Sequence, residues 1–549
     1  MGDVSGHVSG IDVTIIIAYF IMLIAIGFYV ANKHVKSGED ASIAGRKLGI
    51  FLGGIGKTAN SAGGSSSVGG TSWGYQYGIA GAWYAFAEGI TYVLYLPIIK
   101  RIWRALYRTR TASAGQFFGY RWGPGARYYA GLINAICYMA FVGAQIIATS
   151  AAIEVLLGWG HMTSLLVSTA VIIVYCTAGG LRAIVLTDVI QVLLILVGMG
   201  LIMPPLVFGA AGDVLGGGGF GVVWDTLTNG DMTLYGMSTD FMTNLGAPLV
   251  FGWPYIIGAI ILPSILIGGV AQAAFQYQSS IQSADKAFKS FIMVPFLYIP
   301  VSIIVVMMGM CAFVLYGMDL MPEAVGGPAG ANPNNVLPSL IVNFLPTGLI
   351  GLLLSSVLSA TMSTASTCLI CSTTCLTEDV IKPLMKNKLD DRGALMLFRI
   401  CMICVGLGTI MITLWAQDII ALLTTAYAAA CAGLFVPMMS TLLIRKATKP
   451  AVYTTMLVGL AVYGATAFHW LPFLPDIIEA APLYISLPIS LILMAVITSA
   501  TQKSGNGRLD AYFPDTWENS PGNWEKHPEL LDGPGPARLP NDVNASRGA

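Results

Sequence analysis

The sequence predicts an all-α integral membrane protein of about thirteen transmembrane helices, ten of them in two five-helix units of opposite topology. Three observations carry that prediction. Of the 549 residues, 55% are hydrophobic and only 10% charged, where a soluble globular chain carries about 25% charged residues. Apolar runs of about 20 residues, enough for a helix to cross a bilayer, recur from near the N-terminus to residue 500. Two of those runs, five helices apart, are interrupted by glycines and polar side chains. Five crossings turn a second unit upside down relative to the first, so breaks at matching places in two halves mark an inverted repeat. The formal net charge of zero argues against nucleic-acid partners.

The first span, 13–31, has no Lys or Arg ahead of it and no A-x-A cleavage site behind it, and the basic loop NKHVKSGEDASIAGRK follows. It is therefore expected to persist as a helix outside the repeat, with its N-terminus outside the cell. The second span, 48–69, runs through GKTANSAGGSSSVGGTSWGYQYG, whose glycines and serines favour a break in helical hydrogen bonding. Spans 79–103, 128–157, 164–176 and 184–208 complete the first repeat; Glu88 lies inside the first of these and Asp188 near the start of the last. The seventh span, 247–275, passes through the second interruption, LPSILIGGVAQAAFQYQSS, and 288–315, 345–377, 396–416 and 419–444 complete the second repeat. Two further spans, 451–468 and 481–498, follow.

Loop charge checks the count. Segments 209–246 and 316–343, external on this scheme, contain no Lys or Arg, whereas the loops around 33–47, 100–127, 286–289, 382–392 and 445–449 are basic. The alternation puts the C-terminus in the cytoplasm of a multi-pass plasma-membrane protein. Residues 501–549 are polar and Pro/Gly-rich and are expected to be a mostly disordered cytoplasmic tail, which leaves Asn544 of the N-A-S triplet on the wrong side for glycosylation. Most of the nine cysteines lie in apolar segments, and those at 368, 371, 375, 401 and 404 have no His or carboxylate at ligand spacing, so they are read as packing residues.

The ninth span is studded with hydroxyls. On a helix Ala360, Ser363, Thr364 and Thr367 fall at i, i+3, i+4 and i+7, with Ser356, Ser359 and Ser366 beside them. Lipid offers a hydroxyl no partner, so the stripe faces either other helices, bonding back to its own carbonyls, or a buried hard cation. The two broken helices favour the second reading, since unwound carbonyls and half-helix ends at mid-membrane form transporter sites. Paired glycines that only allow close packing remain the plainer alternative for each break.

Three stretches then resemble a known family, the sodium/solute symporters: YCTAGGLRAIVLTDVIQ at 175–191, MSTASTCLICSTTCLTED at 362–379 and AGLFVP at 432–437. The resemblance covers roughly residues 10 to 470 and implies an inverted five-plus-five fold and import of a small polar organic solute, such as an amino acid or organic acid, coupled to sodium. It also implies one sodium ion, held by carbonyls of Ala59, Ala62 and Ala360 and hydroxyls of Ser363 and Thr364. A second sodium, present in some members, would use Asp188 with Ser363, Ser366 and Thr367.

Between the broken helices and their neighbours, Trp73, Tyr77, Glu88, Gln272, Gln276, Tyr277, Thr424 and Tyr427 are the candidate solute residues, with Tyr75, Gln76, Phe275, Gln278 and Thr425 in reserve. Aromatic walls with a few amides suit a small polar solute, although aromatics at span ends also form the interfacial belt. The glutamate and glutamine that sugar carriers of the family use fall here on Ala85 and Ser66, which counts against a sugar. Lys57, close to the implied sodium carbonyls, either snorkels to the interface or pairs with Asp188. A sensor on the same fold, signalling through a separate partner, is the alternative function; no nucleophile, base and metal constellation suggests an enzyme.

Overall fold

The computed structural model describes residues 8–34, 46–229, 233–234, 237–238, 240–246, 252–317, 332–385, 389–416, 418–509 and 511–513. Most of the basic loop after the first span, the loop 318–331 and the tail beyond 513, with Asn544, lie outside the described residues.

Among the described residues the regular structure is helical apart from one antiparallel pair of two-residue strands, in which Thr233 pairs with Ser238 and Leu234 with Met237, and an isolated parallel bridge between Leu48 and Ile281. Among the described residues eleven helical segments are long and apolar enough to cross a membrane, and His161–Thr177 is a shorter apolar helix. Helix is assigned without interruption over His161–Leu194, yet the Tyr175 hydroxyl hydrogen-bonds with Thr187. Twelve residues of straight helix would hold those side chains about 18 Å apart. The chain therefore turns back on itself between them. The outward faces carry large apolar side chains such as Phe296 (76% exposed) and Met411 (72%), a surface suited to lipid rather than water.

The hydroxyl-rich helix Leu349–Thr374 is the hub. Of the most apolar stretch in Leu349–Leu384, 89% is buried, against 28% for Gly10–Gly27 and 22% for Leu483–Ala500. It packs against Pro124–Leu157, His161–Leu194 and Gly10–His34. The last of these contacts is specific. Asp12, fully buried, accepts hydrogen bonds from the N–H groups of Gly348 (2.9 Å) and Gly351 (2.8 Å), capping the start of the hydroxyl helix from the first helix. Further along, the Ser359 hydroxyl donates to Tyr19 at 3.0 Å. A carboxylate that satisfies orphan N–H groups at a helix start contributes about 1–2 kcal/mol. Asp12→Ala is expected to lower the unfolding free energy by that amount, seen as an earlier thermal transition of the purified protein, while Thr14→Ala on the exposed side of the same turn changes it little.

Both interruptions break their helices. The first half-helix, Ile50–Ser61, ends with the Ala62 N–H on Thr58 O, and a second, Val68–Tyr77, starts after six residues of irregular backbone. Gly78 (φ +61°) then turns the chain into Ala82–Thr109; a Cβ there would sit 2.0 Å from Met242 O. In the seventh span the helix ending at Leu266 gives way to a 3-10 turn, Ile267–Gly269, and restarts as Gln272–Ser280. The broken runs thus extend past the predicted limits of 69 and 275, to Tyr77 and Ser280.

At one end of the bundle the first residues of the tail that is expected to be mostly disordered, up to 513, pack against the helices. Tyr512 is fully buried, donates to Phe117 O at 2.6 Å and meets the Phe117 ring edge-on at 5.0 Å. Arg121 ties the same region together, donating to Thr441 O, Ile444 O, Arg445 O and Asn506 O. Burial pushes its guanidinium down to about 10, which leaves it charged at neutral pH. The aromatic pair Tyr512 and Phe513, in an otherwise polar stretch, anchors these residues together with Arg121.

Candidate functional site

The break between Ser61 and Val68 is stabilised from outside its own helix. The Gly64 N–H donates to Gln145 Oε1 (2.6 Å), and the Ser66 hydroxyl bridges to Ser61 O (3.2 Å) and Gly63 O (3.1 Å). With helical bonding ended, Ala59 O accepts from both Ser363 Oγ and Thr364 Oγ1 at 3.1 Å, and Asn60 O from Thr364 Oγ1 at 3.0 Å. Ser363 Oγ also reaches Ala360 O at 3.0 Å, an ordinary i−3 contact within the hydroxyl helix. The cross-helix contacts are the informative ones. A hard cation about 2.4 Å from two oxygens that are themselves 3.1 Å apart would subtend about 80° between them, an ordinary coordination angle. The donor set is neutral, oxygen-only and fully inside the bundle. Ala62, with ψ of 47°, carries its carbonyl out of the helical direction at the same place. Asn60 O was not foreseen as a neighbour of Thr364.

A second cluster lies further along the hydroxyl helix. Asp188 is fully buried, and neither carboxylate oxygen has a hydrogen-bond partner among the described residues, so it does not face interfacial water. Thr367 Oγ1 is 3.2 Å from the Tyr277 hydroxyl, which also neighbours Asp188, and Ser366 Oγ donates to Ser363 O at 2.9 Å. A buried carboxylate without a partner is costly unless a cation or proton accompanies it. Lys57 takes neither expected course. It is 5% exposed, makes no bond to Asp188, and its ammonium lies 5.4 Å over the Tyr92 ring and 5.9 Å over the Tyr277 ring.

A central cavity enclosing about 730 Å³, part of it open to solvent, adjoins the first break. Of the eight candidate solute residues, Glu88 and Tyr427 line it. The other six do other work. Trp73 Nε1 donates to Asp418 Oδ2 at 3.3 Å and its ring meets Tyr77 edge-on. Both belong to the second half-helix, and Trp73, six residues past Ser67, is about 9 Å along its axis from the break. Gln272 clamps the loop before Ala114–Trp122, donating to Ala112 O and accepting from Ala114 N–H. Gln276 meets Thr374 and Cys371, Tyr277 meets Thr367, and the Thr424 hydroxyl turns back to Ile420 O. Tyr75, Gln76, Phe275, Gln278 and Thr425 also lie off the cavity.

The seventh span contributes from its break instead, through Ile267, Gly268 and Ala271. Tyr92, Tyr95, Tyr138, Phe141 and Gln145, from two intact helices, supply much of the remaining wall. No sequence signal separated them from other apolar-face residues, with the exception of Gln145, a buried amide in a long apolar run.

Fold and site together describe a membrane protein with two broken helices around a polar centre. Comparison with known proteins gives the family: residues 42–459 match the sodium:solute symporter family, and the chain belongs to it. Among its relatives are the Vibrio parahaemolyticus sodium/glucose cotransporter, 25% identical with 70% of each chain covered, and the Escherichia coli sodium/proline symporter, 23% identical over 90% of this chain and 95% of that one. The human sodium/iodide cotransporter is 26% identical over 66% of this chain, a match spanning 54% of that protein. A solved sodium-coupled sialic acid symporter in a substrate-bound, outward-open state shares the fold, with a TM-score of 0.73 at 18% identity, covering 91% of this chain and 99% of that one. A nucleobase-cation-symport-1 family transporter in a closed conformation is more distant, with a TM-score of 0.52 at 16% identity over 87% and 97% of the two chains.

Proposed function

We propose that the protein is a sodium-coupled symporter that imports a small polar organic solute by alternating access. The observation that carries this reading is the meeting of Ala59 O with the hydroxyls of Ser363 and Thr364 across two helices. Sodium bound there would be held by Ala59, Ala62, Ala360, Ser363 and Thr364, with a second at Asp188, Ser363, Ser366 and Thr367. Ligands divided between a broken helix and the hub let an ion hold the two together, so its arrival and departure bias one packing of the bundle over another. A first shell without carboxylate binds modestly, which suits release.

The topology proposed with it has thirteen crossings, with the first helix outside two inverted repeats (about 48–208 and 247–444), the N-terminus outside, the docked tail in the cytoplasm and the protein in the plasma membrane. Support comes from the charge alternation of the loops and from the reversal between Tyr175 and Thr187.

Ser363→Ala and Thr364→Ala are each expected to raise the sodium concentration for half-maximal uptake into proteoliposomes by about tenfold, on the order of 1–2 kcal/mol per lost oxygen. Normal sodium dependence in both folded variants would rule out the assignment.

A further inference from the structure

We propose that the central cavity takes a small zwitterion, with Lys57 binding its carboxylate and Glu88 its ammonium. The proposal rests on the symporter reading above and names the solute class for that cavity. Both side chains line the cavity and both are more than nine-tenths buried, at 5% and 9% exposure. They come from different elements, Lys57 from the half-helix Ile50–Ser61 and Glu88 from Ala82–Thr109, so a solute between them touches two helices.

Neither charge is neutralised by direct contact. Among the described residues Lys57 forms no ion pair, and its ammonium rests over tyrosine rings. A ring face attracts a cation but does not replace a counter-ion in a dry interior. Glu88 is faced by the hydroxyls of Tyr84, Tyr298 (3.1 Å) and Ser61, none of them charged, and feels Lys57 only at longer range. A neutral polyol would leave both poles unneutralised. A monocarboxylate would satisfy Lys57 and place a second anion beside Glu88; an amine would do the reverse. A solute carrying both signs gives each buried charge its partner, and the rings of Tyr138, Phe141 and Tyr427 provide an apolar wall for the remainder.

The position of Lys57 also ties solute to ion. It lies two residues before Ala59, whose carbonyl meets Ser363 and Thr364, so its charge opposes a cation there until a carboxylate neutralises it. Sodium and solute should then strengthen each other's binding, a reciprocity that thermodynamics requires to be equal in both directions.

Cys368 lines the same cavity and serves as reporter, its alkylation read at that residue by peptide mass spectrometry because Cys404 is exposed and also reacts. The test uses the full chain in lipid nanodiscs with sodium present, measuring alkylation of Cys368 by N-ethylmaleimide against the twenty L-amino acids, each hit being compared with its amide, its deaminated acid and myo-inositol. The expected result is that one or more amino acids slow alkylation, and that the amide and the deaminated acid each need about a hundredfold higher concentration. Lys57→Met should bring amino acid and amide to equal potency and make sodium affinity independent of solute; Lys57→Arg should keep the preference for the acid. Protection by none of the amino acids, or a Lys57→Met protein that still prefers the acid, overturns the proposal. A sodium-specific rise in thermal stability, measured on the same samples, separates the two levels. With that rise present, these failures strike the zwitterion alone; without it, the symporter reading itself fails.

Discussion

Gly63→Ala is expected to raise the half-saturating sodium concentration by roughly 5- to 150-fold, with the protein still folded. A Cβ at Gly63 would sit 2.4 Å from Thr364 Oγ1, 2.8 Å from Thr364 Cβ and 2.9 Å from Gln145 Oε1. Those neighbours are the hydroxyl that meets Ala59 O and the amide that holds Gly64 N–H, so neither can move without opening the cluster. Overpacking of this kind costs about 1–3 kcal/mol, which corresponds to roughly 5- to 150-fold in affinity. Gly70→Ala is the control, since a Cβ there meets only ordinary contacts at 3.6 Å or more in the same broken helix. Sodium titrations of uptake, or of thermal stability where the solute is unidentified, should separate the two variants clearly.

Asp188→Asn is expected to remove a second sodium ion. In the wild type, solute-coupled uptake should show a sodium Hill coefficient above one, and the variant should bring it toward one while the Ser363 site keeps working. The sign follows from charge, because the amide removes the one anion in either proposed shell. The size follows from burial: a carboxylate with no hydrogen-bond partner and no exposure relies on a cation more than a solvated one does, so the loss at that site should reach about a hundredfold. Charge movement is a separate check, since two sodium ions with a net-neutral solute carry two charges per cycle. One charge per solute, or an unchanged sodium dependence in Asp188→Asn, would leave a single ion at the Ala59 cluster.

The parts of this site that could be read in the sequence are those where a residue type is expensive or out of place. The hydroxyls of Ser363, Thr364 and Thr367 in an apolar helix, the run SAGGSSSVGG and a carboxylate inside a span each conflict with lipid, and each falls at the centre of the bundle. What stayed hidden depends on helix rotation and on where a break falls. Nearly the whole circumference of Pro124–Leu157 is apolar, so no moment marks Tyr138 and Phe141 as wall residues rather than core. The break at Ile267–Ala271 lies before the glutamines that looked like solute ligands, which instead clamp neighbouring loops and helices. The cap from Asp12 and the docking of Tyr512 join residues more than 300 positions apart, and no local pattern encodes such contacts.

The central claim is that sodium binds where the first broken helix meets the hydroxyl helix, and it can be tested without knowing the solute. Thermal unfolding of the purified protein, measured in sodium and in potassium at equal ionic strength, reports binding to the folded state as a stabilisation that grows with the logarithm of ion concentration. The expected result is a transition that rises with sodium and not with potassium, and a Ser363→Ala/Thr364→Ala double variant in which most of that difference is gone. A wild-type transition equal in the two salts, or a double variant that keeps the full sodium-specific rise, would contradict the account.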